Sequence, residues 1–162
     1  MKTEQQKEIE TIKERTITIK LSDADCERVS NLCGEHNISV SYLLESFIGD
    51  LVNGTYTNGS DERDYARSYF ERCWFGMYPE KSLLNFLLSM GYDVYGELIS
   101  CVDDIEYCRN NSEDCSTEEI AYLEDEVNRI KKYYMEENPQ ADWNEEYAKV
   151  VKWWEETERL KE

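Results

Sequence analysis

No stretch of this 162-residue chain approaches the ~18 consecutive apolar residues that a membrane-spanning helix needs. No basic segment followed by an apolar core opens it either, so a cytosolic protein without membrane contact is expected. Histidine occurs once, as His36, and no nucleophile is arranged with it, which argues against Ser–His and Cys–His covalent catalysis. The 7 glycines are scattered and fit neither the Walker nor the dinucleotide-binding pattern, so no phosphate-cradling loop is expected. No segment of about 20 to 50 residues recurs, which argues against a solenoid. Positive charge is also scarce. Lys+Arg total 18 against Asp+Glu 36, for a formal net charge of -18. Such a balance repels nucleic acid at long range and favours basic partners.

What is present is acid, unevenly placed. Residues 111 to 162 carry 16 acidic and 7 basic groups, half of the net charge, whereas residues 1 to 21 hold five basic against four acidic groups. With 36 carboxylates, neighbours such as Asp103-Asp104 and Glu136-Glu137 follow from composition and identify no acid–base dyad. The chain is not expected to be an enzyme. Cys26, Cys33, Cys73, Cys101, Cys108 and Cys115 read as reduced, mostly packed thiols, because the expected compartment is reducing. Cys33 and His36 have the Cys-x-x-His spacing, but no second pair completes the four ligands of structural zinc. Cys101, Cys108 and Cys115 recur at intervals of seven, yet Asn110-Asn111-Ser112 breaks a helix between them. No metal and no cofactor is expected.

Along the chain, residues 1 to 15 form a polar arm with Ile9 and Ile12 as its aliphatic side chains after Met1. Thr16-Ile17-Thr18-Ile19-Lys20-Leu21 then alternates, which predicts a strand with Ile17, Ile19 and Leu21 on one face. Ser22 is a helix cap, with Asp23 and Asp25 in the first turn where the helix dipole favours negative charge. Asn37 suits a helix stop because it adopts left-handed backbone angles cheaply. Ser39 then caps a second helix with Tyr42, Leu43, Phe47, Ile48, Leu51 and Val52 on a broad apolar face.

Asn53-Gly54 and Asn58-Gly59-Ser60 mark a module boundary. Beyond it, helices are predicted at about 61–76, 80–90, 93–109, 117–137 and 142–160. Ser116 and Glu119 fit a capping box. Ile120, Leu123, Val127, Ile130 and Tyr134 repeat at alternating three and four, as do Trp143, Tyr147, Val150 and Trp154. Two such seams separated by Pro139 predict a closing helical hairpin. The expected fold is mainly α: an N-terminal strand-helix-helix module at 16–53, then an acidic all-helical region at 61–162.

The segments Thr16-Ile17-Thr18-Ile19-Lys20-Leu21-Ser22 and Asn37-Ile38-Ser39-Val40-Ser41-Tyr42-Leu43-Leu44 resemble the ribbon-helix-helix family of DNA-binding proteins, the family of the Arc and MetJ repressors. In that family two strands from two subunits pair into a ribbon that enters the major groove. The resemblance implies that Thr16, Thr18 and Lys20 face the groove and that Ser39 and Ser41 meet a backbone phosphate. It also implies a homodimer, with Ile17, Ile19, Leu21, Leu43 and Phe47 at its interface. It covers about 37 of the 162 residues. A lone strand in any case exposes unpaired N–H and C=O groups that a two-fold mate would satisfy.

These features predict a dimeric DNA-binding regulator of transcription or of a mobile element, with duplex DNA as ligand and an acidic, protein-binding extension. Asp23, Asp25 and Glu27 beside the reading face, and the scarcity of positive charge, count against DNA affinity. An alternative follows from the acid itself. An ordered carboxylate surface would imitate nucleic-acid phosphates and fill the basic groove of a nuclease. Such a chain is similar in charge and size to phage-encoded inhibitors of restriction or CRISPR enzymes. A third reading is a dimeric adaptor without DNA contact.

Overall fold

The computed structural model describes residues 2–91, 93–111, 113 and 115–162. The chain divides into two units, Met1–Pro79 and Glu80–Glu162. The first contains α1 (Glu4–Glu10), α2 (Asp23–Glu35), α3 (Val40–Leu51), α4 (Ser60–Arg72) and the short α5 (Trp74–Met77); the second contains α6 (Leu83–Met90), α7 (Val94–Asn110), α8 (Thr117–Glu137) and α9 (Trp143–Lys161).

Three helix starts in the first unit are set by side-chain oxygens. Thr3 and Gln6 form a capping box for α1, Ser22 accepts the Asp25 N–H at 3.1 Å, and Ser39 accepts the Tyr42 N–H at 3.0 Å. Asn37 ends the α2 turn with φ 55°, as its chemistry predicts. The segment after α3 is held by Asp50, which is buried and accepts both the N–H and the side-chain amide of Asn58 at 2.8 Å. The chain then enters α4, which packs on α3 through the edge-to-face pair Phe47–Tyr69, ring centroids 5.8 Å apart. The helix expected at 61–76 is divided at Cys73, whose extended backbone separates α4 from α5. Gly76 permits the fold-back: a Cβ there would stand 2.1 Å from the Phe70 carbonyl oxygen.

Two sequence expectations are corrected here. Among the described residues there is no strand; residues 13–22 run without helix or ladder, and Ile17, Ile19 and Leu21 are each at least half exposed. The alternation is real, but a strand is completed by a neighbour's N–H and C=O groups. Among the described residues no second β segment lies beside it. The fold is therefore all-helical, the strand-helix-helix module is not formed, and the ribbon-helix-helix assignment falls with it. The second correction concerns the thiols. Cys108 and Cys115 are joined by a disulfide, with a Cα–Cα distance of 5.4 Å. The end of α7 at Asn110 turns the chain back so that Cys115 reaches Cys108, a juxtaposition that the expectation of reduced thiols overlooked. Cys26, Cys33, Cys73 and Cys101 remain free.

The second unit is built around Leu83, Leu87, Leu98, Ile99, Ile130, Tyr134 and Val150, with Val127, Trp143, Tyr147 and Trp154 packed against them. Val127, Ile130 and Tyr134 of the first predicted seam and all four residues of the second thus join this interior. Helix α8 lies along α7, and α9 lies against α6 and α7. The start of α8 is capped by Ser116, which accepts the Glu119 N–H at 3.1 Å.

At the centre sits a buried carboxylate. Glu146 of α9, 8% exposed, accepts the Leu83 N–H at 2.9 Å and the Tyr134 hydroxyl at 3.3 Å through Oε2, while its Oε1 pairs with Lys149. One side chain thereby satisfies an orphan donor at the α6 N-terminus, anchors the Tyr134 ring and fastens α9 to α6 and α8.

Candidate functional site

The second unit carries 22 carboxylates against 9 basic side chains. Helix propensity and capping fix where they stand. In α7, Glu97 and Asp104 are seven apart and flank Cys101 along one stripe, while Asp103 and Glu106 are three apart on another. All four are exposed. The single basic residue of α7, Arg109, is paired with Glu124 of α8 at 2.6 Å.

The field of these carboxylates is felt by two neighbours. The Tyr147 hydroxyl on α9 is pushed up to about 12, first by burial and then by the negative charges of Asp103 and Glu106. The Cys101 thiol is likewise raised, by burial and then by Asp104, Glu126 and Glu97. Each stripe of α7 therefore makes a local negative potential that extends to an adjoining helix: α8 contributes Glu126 to one, and α9 presents Tyr147 to the other. The ends of α8 and α9 add Glu118, Glu119, Glu155 and Glu156, all exposed. The ion pairs Lys132–Glu136, Arg129–Glu126 and Lys161–Glu158 neutralise a minority of the acid.

This arrangement is suited to electrostatic contact with a basic partner. Among the described residues no three His, Cys, Asp or Glu side chains converge as metal ligands. No described helix is long and apolar enough to cross a membrane. In the first unit a shallow depression of about 420 Å³ on α4 is lined by Tyr65, Ser68, Tyr69, Arg72 and Cys73; it presents aromatic rings, one guanidinium and the free Cys73 thiol.

The residues singled out for DNA contact lie elsewhere and are not gathered on one element. Thr16, Thr18 and Lys20 are exposed on the non-helical arm, Ser41 is exposed in the first turn of α3, and the Ser39 hydroxyl is engaged as the α3 cap. Of the side chains expected between subunits, Ile17, Ile19 and Leu21 are exposed, Leu43 is half-buried, and Phe47 spends one edge on Tyr69 of the same chain. Without a ribbon, no described element presents Thr16, Thr18 and Lys20 to a groove, so the DNA-reading role inferred from the family loses its structural basis.

Sequence reasoning missed Glu146 and Asp50, and placed Tyr147 only as a seam residue. Glu146 and Lys149 are spaced for a helical ion pair, a faint signal. That Leu83, 63 positions earlier, donates to the same carboxylate follows only from the tertiary fold. Comparison with protein-family models, curated proteins and solved structures finds no match for this chain.

Proposed function

We propose that the chain acts as a protein-binding inhibitor whose acidic second unit occupies the basic, nucleic-acid-binding groove of a DNA-handling enzyme. The observation that carries this reading is the pair of carboxylate stripes on α7, spaced along a helix that packs against its neighbours, with Asp103 and Glu106 of one stripe adding to burial in raising the Tyr147 hydroxyl. Duplex DNA presents about one negative charge per 1.7 Å of axis. Helical carboxylates three or four positions apart are separated by about 5–6 Å at their Cβ atoms, so several helices are required to approach that density. Three acidic helices in one unit supply them. Opposite potentials would accelerate encounter and make it salt-sensitive.

The experiment is competition. The full chain is added to a restriction endonuclease and to a guide-loaded CRISPR nuclease, each with labelled duplex, and displacement is followed by anisotropy at low and physiological salt. A susceptible enzyme loses duplex in proportion to added protein, and the effect falls at least tenfold for the combined Asp103→Asn, Asp104→Asn and Glu106→Gln variant. Displacement unchanged by that variant, or none from any basic nuclease tested, refutes the assignment.

A further inference from the structure

We infer that a second copy of this chain covers the exposed aliphatic surface of the first unit formed by the arm at 13–22, α2 and α3. The inference is independent of the acidic-surface reading above. It starts from a disparity in burial. Apart from Cys33 and Ala66, the buried apolar residues of the protein all lie in the second unit, although the first contributes nearly half of the chain. Those two side chains, with half-buried neighbours such as Leu43 and Leu51, are little to set against the conformational entropy of fixing five helices, which runs at about 1–2 kcal/mol per residue.

The missing burial is available on the surface. Ile17, Ile19 and Leu21 on the arm are 57%, 54% and 50% exposed; Leu32 on α2 is 54% exposed; Leu44 and Ile48, one turn apart on α3, are 43% and 44% exposed. With Val52 at the end of α3 these side chains leave on the order of 600–700 Å² of apolar surface in water, close to the ~800 Å² that each partner contributes to a standard interface. A contiguous apolar patch of that size is uncommon on a monomer.

Charge selects the occupant. A basic target of the kind proposed above is drawn to the second unit, where the acid is concentrated. Residues 1 to 21, by contrast, are nearly neutral with a slight basic excess, whereas Asp23, Asp25 and Glu27 make the start of α2 acidic. In a two-fold pair each patch meets its complement twice, so an arm carrying Lys13 and Lys20 can lie against the acidic α2 start of its mate while the aliphatic side chains meet. The interface then brings together the least repulsive parts of two strongly acidic chains.

Sedimentation equilibrium of the full chain, from about 100 nM to 100 µM at physiological salt, tests this. The expected result is a species of twice the 19.2 kDa chain mass. The single variants Ile19→Lys and Leu44→Lys should each raise the dimer dissociation constant by about a hundredfold, since each buries an unpaired charge twice. Hydrogen exchange on the wild-type chain gives a readout that does not depend on how the variants fold: protection of the arm and of α3 should rise with protein concentration while that of α7 stays constant. A wild-type chain that remains monomeric at 100 µM overturns the inference. So does a dimer that survives both substitutions, or exchange in the arm and α3 that is independent of concentration.

Discussion

Glu146 concentrates more of the second unit's order than any other single residue. Its carboxyl is held below the usual carboxylate range, chiefly by the Lys149 ammonium, with help from the Leu83 N–H and the Tyr134 hydroxyl and against the opposing effect of burial. A lowered folded-state value means that the stabilisation is fully present above the unfolded glutamate value of about 4.3 and is lost as pH falls through the folded one. Glu146→Gln should therefore flatten the acid limb of the stability profile below about pH 5 while keeping an acceptor for Leu83. Glu146→Ala should cost about 3 kcal/mol at neutral pH by leaving the Leu83 donor and the Tyr134 hydroxyl without a partner. Urea titrations followed by tryptophan fluorescence measure both; equal acid limbs in wild type and Glu146→Gln would contradict the assignment. Tyr147 has the opposite sign: a hydroxyl raised to about 12 contributes stability that is present below the ordinary tyrosine value and lost as pH rises through its own.

Among the elements, those with local instructions were legible and those that need a partner were not. Ser22, Ser39 and Ser116 each announce a helix by a side-chain oxygen at the right offset, and each caps one. The three-four spacing from Ile120 to Tyr134 names an inward stripe, and Ile130 and Tyr134 are buried. The Thr16–Leu21 alternation carries no such closure, since period two states which side chains share a face but not whether another backbone lies beside them. The division at Cys73 was hidden for a different reason. A helix pattern runs through it, and only the approach of Gly76 to the Phe70 carbonyl explains the turn. Gly76→Ala should accordingly destabilise the α4–α5 corner by about 2 kcal/mol. Chemical denaturation and exchange at 70–78 would show it; a neutral effect would mean that the corner opens freely. The acidic surface was legible in amount but not in arrangement, because composition counts Asp103 and Glu106 without saying that Tyr147 stands within their field.

For the whole molecule, the two units have opposite accounts of stability, one with its own aliphatic and aromatic interior and one whose aliphatic side chains are largely at the surface. Calorimetry should resolve two transitions, the lower rising in temperature with protein concentration and the upper independent of it. A single transition, or two that are both independent of concentration, would contradict this. The contact between Leu83 and Glu146 also sets a timetable for the chain's birth. At about 5–20 residues per second, a ribosome needs roughly 3 to 13 s to add the residues between them. During that interval α6 has left the tunnel with Leu83 and Leu87 unsheltered and its first amide unclaimed, so it waits for a carboxylate not yet made. Chains released after α8 but before Glu146 would therefore carry the acid of α7 and α8 without the clasp that organises them, and quality-control proteases should clear them while sparing the finished protein.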